Sequence, residues 1–181
     1  MFQRMTSRVV LDPGYRTRGA IRVGDYGAVI RRDFEGEIEL TNLRWGFPPK
    51  ERGDKPLAVL RAEGRDFADR RCLIPVDEFY LRKNGKRYRF TLRGTDLFYY
   101  GGIWRPAADR WPASYVVLTV PANQDIAPFR DRQMAVLRRE DRMAWLDLTR
   151  PAAELLRPLP AHSFRFERDD GVDLGEAMFD W

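Results

Sequence analysis

Arginine has more chemistry to offer than any other residue type in this chain. Of 32 basic residues, only Lys50, Lys55, Lys83 and Lys86 are lysine, which leaves 28 arginines and a net charge of +5. A guanidinium grips phosphate with two parallel hydrogen bonds and stacks on bases, which an ammonium does not do. Aromatic residues make up 13% of the chain and supply stacking partners. This combination favours a nucleic-acid partner; a GC-rich genome, which enriches arginine without any function, accounts for it equally well. Other reactive side chains are few. Cys72 and His162 are the single cysteine and single histidine. They exclude an intrachain disulfide, a cysteine cluster and a multi-histidine metal site, so no metal or other cofactor is expected. Cys72 lies in an apolar run and reads as a small buried hydrophobe. His162 has no carboxylate or serine constellation around it and reads as structural. Glu63 is either a base or an arginine partner. Asn123 reads as a turn residue supporting a pocket.

These residues need a scaffold. A chain of 181 residues fits one domain and can bury a real core. No apolar run approaches the roughly 20 residues that span a bilayer, and Met1 to Arg8 lacks the apolar stretch of a signal peptide. The expectation is a cytoplasmic monomer, nucleoid-associated if bacterial, with no membrane partner. Residues 26–31 and 37–43 read as strands. In 86–93, Tyr88, Phe90 and Leu92 alternate with Arg87, Arg89, Thr91 and Arg93, which predicts a half-buried strand with a basic outer face. Residues 97–104 and 114–120 are near-continuous apolar runs and read as central strands. Short strands are expected at 133–138 and 162–167. Short helices are expected at 65–71, at 140–148 with Met143, Trp145 and Leu146 near one face and Pro151 as the stop, and at 152–156. The predicted fold class is α+β: residues 1–168 form one domain with a curved, barrel-like mixed β core and a few short helices. Residues 169–181 are expected to form an acidic tail.

Six segments, in order, carry a family resemblance. They are Arg44-Trp45-Gly46, Arg61-Ala62-Glu63, Arg71 to Pro75 followed by Asp77 and Phe79-Tyr80, Gly101 to Trp104, Leu118-Thr119 with Ala122-Asn123, and Asp131-Arg132 before Ala135 to Leu137. Together they resemble the SRAP family (SOS-response-associated peptidase), abasic-site processing proteins that crosslink to DNA. The resemblance implies a specific chemistry. A cysteine at position two, freed by removal of Met1, adds its amine and thiol to the sugar aldehyde of an abasic site. A thiazolidine ring closes, and the thiol makes the adduct durable. A glutamate and a histidine move protons, and an asparagine positions the sugar and the N-terminus. The name "peptidase" refers to an inferred self-cleavage of the N-terminus.

This chain departs from that pattern at all four catalytic positions. Position two is Phe2, the asparagine position is Val59, the glutamate position is Leu81 and the histidine position is Arg130. No catalytic residue is therefore expected. An apolar Val59 and Leu81 suit a pocket that no longer binds substrate, whereas a buried Arg130 needs a partner, for which Asp131 and Glu63 are the candidates. What the resemblance leaves is a scaffold that binds single-stranded or junction DNA, with or without abasic sites, through Arg4, Arg44, Trp45, Arg61, Arg71 and Arg130. The structural alternatives are pairing of the arginines with Asp77, Glu78 and Asp131, and a core position for Trp45. Two other functions stay open. One is a residual abasic-site lyase or crosslinker working through the Met1 amine, Lys83 or Lys86; the other is a protein-interaction subunit of a DNA-damage response.

Overall fold

The structure is a computed structural model that describes residues 21–51 and 53–171. Phe2, Arg4, the Met1 amine and residues 172–181 of the expected tail lie outside the described residues.

The chain opens with an antiparallel hairpin of β1 (Tyr26–Arg32) and β2 (Ile38–Trp45). β1 pairs with β4 (Arg71–Val76), β4 with β7 (Phe98–Arg105), and β7 with β8 (Ser114–Pro121), all antiparallel. β8 then returns to β2, this time parallel, through Arg44 opposite Ser114 and Trp45 opposite Tyr115. The sheet is thus curved, and its hydrogen bonds run in a ring. Two three-residue strands attach to β8 at its far end: β3 (Val59–Arg61), parallel, and β9 (Arg132–Met134), antiparallel. A second, three-stranded sheet joins β5 (Phe79–Lys83), β6 (Lys86–Leu92) and β10 (Phe164–Arg168) in the order β10-β6-β5.

β8 explains why the chain reads as apolar without alternation there. Every residue from Ser114 to Val120 is buried. Tyr115 and Val117 join the core cluster that holds Val29, Trp45, Cys72, Phe90 and Tyr100. Leu118 and Val120 join the other cluster, with Leu73, Leu137, Trp145 and Leu155. Both faces of the strand are covered, so both alternating sets must be apolar. The second cluster is roofed by a 3₁₀ turn at Arg139–Asp141, by α1 (Arg142–Leu146) and by α2 (Ala152–Leu155). Gly102 of β7 is a packing requirement. A Cβ there would stand 2.4 Å from Ile74 Cδ1 and 2.7 Å from the Val116 carbonyl oxygen.

Several local expectations are corrected. Residues 65–70 form no helix. Phe67 is instead buried against Trp145 and its carbonyl accepts from Arg71 Nε, so tertiary contacts hold the segment rather than helical hydrogen bonds. Met143 is exposed, because it stands about 200° round the helix from buried Trp145. α1 ends before Pro151 acts, since Leu148 takes a left-handed φ of 58°; Pro151 is the N-cap of α2. The strand at 133–138 shrinks to Arg132–Met134, with Val136 making one isolated bridge to Tyr100. The last strand starts at Phe164, because His162 has a φ of 63° in the preceding turn. β3, β4 and β5 lie in segments that carried no strand expectation.

Candidate functional site

The residues with something to offer gather where β3, β8 and β9 end. Arg61, exposed, lies opposite Thr119, and Arg132 lies opposite Pro121. The Arg132 guanidinium grips Glu63 with two hydrogen bonds, 2.8 Å to Oε1 and 2.7 Å to Oε2. It also donates to Thr119, 3.1 Å to Oγ1 and 2.7 Å to the carbonyl oxygen. Four bonds fix its plane. Hydrogen bonding from Arg132 holds the Glu63 carboxyl below its usual range against the opposing pull of burial, with Arg61 contributing through its charge. Glu63 is therefore a partner of Arg132.

The loop between β8 and β9 is built on Asn123. Its side-chain oxygen accepts from the Asp125 and Ile126 N–H groups, both at 3.2 Å, and its own N–H donates to Gln133 Oε1 at 2.6 Å. One helical turn follows, with the Arg130 N–H donating to the Ile126 carbonyl. That turn delivers half-buried Arg130 next to Phe129, which packs edge-on against Tyr88, Phe90 and Phe166. Asp125 ties the loop to the last strand by accepting from the His162 and Phe164 N–H groups at 2.9 and 3.0 Å.

Beside this loop lies a pocket lined by Leu81, Tyr80, Tyr100, Ile126, Arg132 and Gln133, among others, with a cavity volume of about 20 Å³. That is room for about one water molecule. Leu81 is 4% exposed and belongs to the core cluster, against which Val59 also packs. Both side chains thus work as packing residues.

The other sequence-nominated residues are placed elsewhere. Arg44 lies opposite Ser114 at the start of β8, five residues from Thr119, or about 17 Å along the strand. Its guanidinium covers Trp111 and its Nε donates to the Gly24 carbonyl. Trp45 is a core residue: its ring stacks on Tyr115, its Nε1–H donates to the Ala58 carbonyl, and no face is open to a base. Arg71 is buried over Trp145 and donates to the Phe67 and Arg150 carbonyls, so a phosphate cannot reach it. Burial pulls its pKa down, with Asp66 opposing. Lys83 and Lys86 stand exposed at the β5–β6 turn. The structure therefore brings Arg61 and Arg130 to one region and adds Arg132, which sequence reasoning did not nominate. The signal for Arg132 was its place in the Asp131-Arg132 segment of the family pattern. Among the described residues there is no cluster of histidine, cysteine and carboxylates able to hold a metal. No helix among them is long and apolar enough to cross a membrane.

Three solved structures share this architecture. A protein from Bordetella bronchiseptica superposes with a TM-score of 0.65 at 27% identity, over 81% of this chain and 84% of that one. A protein from Bacteroides thetaiotaomicron gives a TM-score of 0.63 at 18% identity, over 80% and 74%. A phage-related protein from B. bronchiseptica gives 0.65 at 19% identity, over 88% and 86%. The last two speak to the fold alone. No curated protein matches the chain. The family model for SOS response associated peptidase (SRAP) matches residues 3–168. With the six sequence segments all lying within that span, the chain belongs to the SRAP family, a family associated with the SOS response to DNA damage.

Proposed function

We propose that this SRAP-family chain binds single-stranded or junction DNA through a groove carrying Arg61 and Arg130, and forms no thiazolidine crosslink. The observation that carries the second half is Leu81. It occupies the family's glutamate position as a 4%-exposed core residue beside a cavity of about 20 Å³. A hydrocarbon moves no proton. Val59, at the asparagine position, also packs on the core and offers no polar atom from its side chain. The DNA half rests on family membership and on exposed Arg61, which stands beside the Arg132–Glu63 pair.

Incubation of the purified chain with single-stranded DNA containing one abasic site tests this reading. No heat-stable adduct is expected on denaturing gels; such an adduct on the wild-type protein overturns the loss of chemistry. Borohydride separates the lyase alternative, because a Schiff base from an amine is captured only on reduction. Binding to intact single-stranded DNA is expected to be salt-sensitive and to weaken in Arg61→Ala. Failure of the wild-type protein to bind any DNA favours the protein-interaction reading.

A further inference from the structure

The chain holds three asparagines, in contrasting surroundings. Asn42 lies inside β2, opposite Ala28 of β1, and Leu43 follows it. Asn123 is buried; its amide donates to Asp125 Oδ2 and to the Pro160 carbonyl, and its side-chain oxygen accepts from two N–H groups. Asn84 is exposed at the tip of the β5–β6 hairpin, and Gly85 follows it. Both take a left-handed φ, 52° and 72°, which suits a two-residue turn whose twist matches the strands. Among the described residues, the Asn84 carbonyl, its side-chain amide and the Gly85 N–H make no hydrogen bond. A Cβ placed on Gly85 would meet nothing within 4 Å, so the space round this backbone is open. The rung that closes the turn sets Lys83 directly opposite Lys86, and like charges so placed are destabilising.

We propose that Asn84 is a modification site, where the side-chain amide is lost through a succinimide ring formed with the Gly85 nitrogen. That nitrogen gives its proton to solvent base and attacks Asn84 Cγ. The new N–Cγ bond closes the ring, the Cγ–Nδ2 bond breaks, and Nδ2 takes a proton from water and leaves as ammonia. Water then opens the ring. Attack at Cγ returns the original backbone with aspartate at the position; attack at the Asn84 backbone carbonyl carbon routes the chain through Cγ as isoaspartate. Water is the only co-reactant. Three features of the tip favour ring closure. Gly85 carries no side chain to hold its nitrogen away from Cγ. Turning the peptide plane between Asn84 and Gly85 breaks no hydrogen bond among the described residues, so the turn reaches the ring-closing geometry with β5 and β6 still paired. Groups held this close then react at a high effective concentration. The charges of Lys83 and Lys86 beside the turn favour the negative charge that develops on the attacking nitrogen and on the Cγ oxygen. Both products place a carboxylate between the two lysines. Aspartate tolerates the left-handed region and keeps the turn, whereas isoaspartate adds a methylene to the backbone of a turn whose twist is set by two residues. The chemistry needs no DNA and is independent of the groove.

The test holds the full folded chain in mildly alkaline buffer beside a synthetic peptide covering residues 81–88. Cation-exchange chromatography follows the charge, chymotryptic peptide mapping follows the mass, and a protein isoaspartyl methyltransferase counts isoaspartate. An earlier-eluting form is expected to accumulate, its hairpin peptide heavier by the difference between O and NH. The product is a mixture of aspartate and isoaspartate, for which Asn84→Asp supplies the aspartyl standard. Asn42 and Asn123 keep their amides over the same period. The rate in the folded chain lies within about tenfold of the peptide's, because a hairpin tip opens locally at little cost. A rate more than about tenfold below the peptide's overturns the proposal, since the fold then protects the site. Equal loss at Asn42 or Asn123 overturns its siting at the tip. Aspartate formed without isoaspartate overturns the ring.

Discussion

Leu81 and Cys72 show how much a residue's chemistry depends on its surroundings. Leu81, read from the sequence as the family's glutamate position, lines a pocket with the rings Phe79, Tyr100 and Phe164. Restoring the carboxylate alone would bury a charge in a space already filled. Leu81→Glu is therefore expected to lower stability by about 2–4 kcal/mol, read by urea denaturation, and to restore no abasic-site adduct. A stable Leu81→Glu variant that crosslinks would mean that the pocket had kept its function. Cys72 is fully buried, and burial pushes its thiol up from the ordinary value, with Arg31 opposing weakly. Since the thiolate is the nucleophile, native protein is expected to resist thiol reagents and to react fully in denaturant. Labelling of the folded state at the rate of a free thiol would contradict this packing. That role was legible in the sequence, because an apolar run around a lone cysteine is a local signal. The roles of Trp45 and Arg71 were not. Each sits in a family segment, and only the fold brings Tyr115 to one and Trp145 to the other.

At the scale of elements, legibility followed length and burial. β7 and β8 stood out as apolar runs because both their faces are covered. β3 is three residues long, too short for any period to register, and its pairing with β8 is a tertiary fact, whereas β9 was legible only as part of the longer stretch expected at 133–138. Two predictions belong here. Gly102 lies where β4, β7 and β8 crowd together, and a methyl group would meet the Val116 carbonyl oxygen, which cannot rotate away. Gly102→Ala is expected to cost about 3 kcal/mol or more, visible as a lowered melting temperature; an unchanged melting temperature would show the ring to be looser than drawn. Asp125 joins the β8–β9 loop to β10. Burial pushes its carboxyl up, but the N–H groups of Phe164 and His162 and the Asn123 amide outweigh it and hold the pKa below the usual aspartate value. A depressed carboxylate contributes stability above its unfolded pKa and loses it as pH falls through the folded value. Acid should therefore loosen this junction progressively below about pH 4. Asp125→Ala should cost about 2–4 kcal/mol at neutral pH and have a flatter stability profile in acid than the parent, by denaturant titration at several pH values.

For the whole molecule, the question is what 28 arginines are for. Many serve the fold. Arg31 lies over Trp104 and bonds Glu39, Arg32 bonds Asp147 across to α1, Arg142 covers Tyr99, and Arg150 bonds Asp141. An arginine count therefore overstates the nucleic-acid footprint, since its stacking and forked bonds serve protein carbonyls and rings as readily as bases and phosphates. The two readings of that composition differ in a measurable slope. On a single strand each neutralised phosphate steepens the dependence of log K on log salt by about 0.7. Two groove arginines, Arg61 and Arg130, give an expected slope of about −1.4 on that scale, since the Arg132 charge is already paired with Glu63. A diffuse attraction to the whole basic surface would engage many more phosphates and give about −5 or steeper. A salt titration of single-strand binding by the wild-type protein, repeated with Arg61→Ala, decides between them. In the groove reading the slope is shallow and the variant loses about 0.7 of it. A steep slope that Arg61→Ala leaves unchanged would assign the binding to net charge, and the arginine excess would then be evidence of attraction without a site.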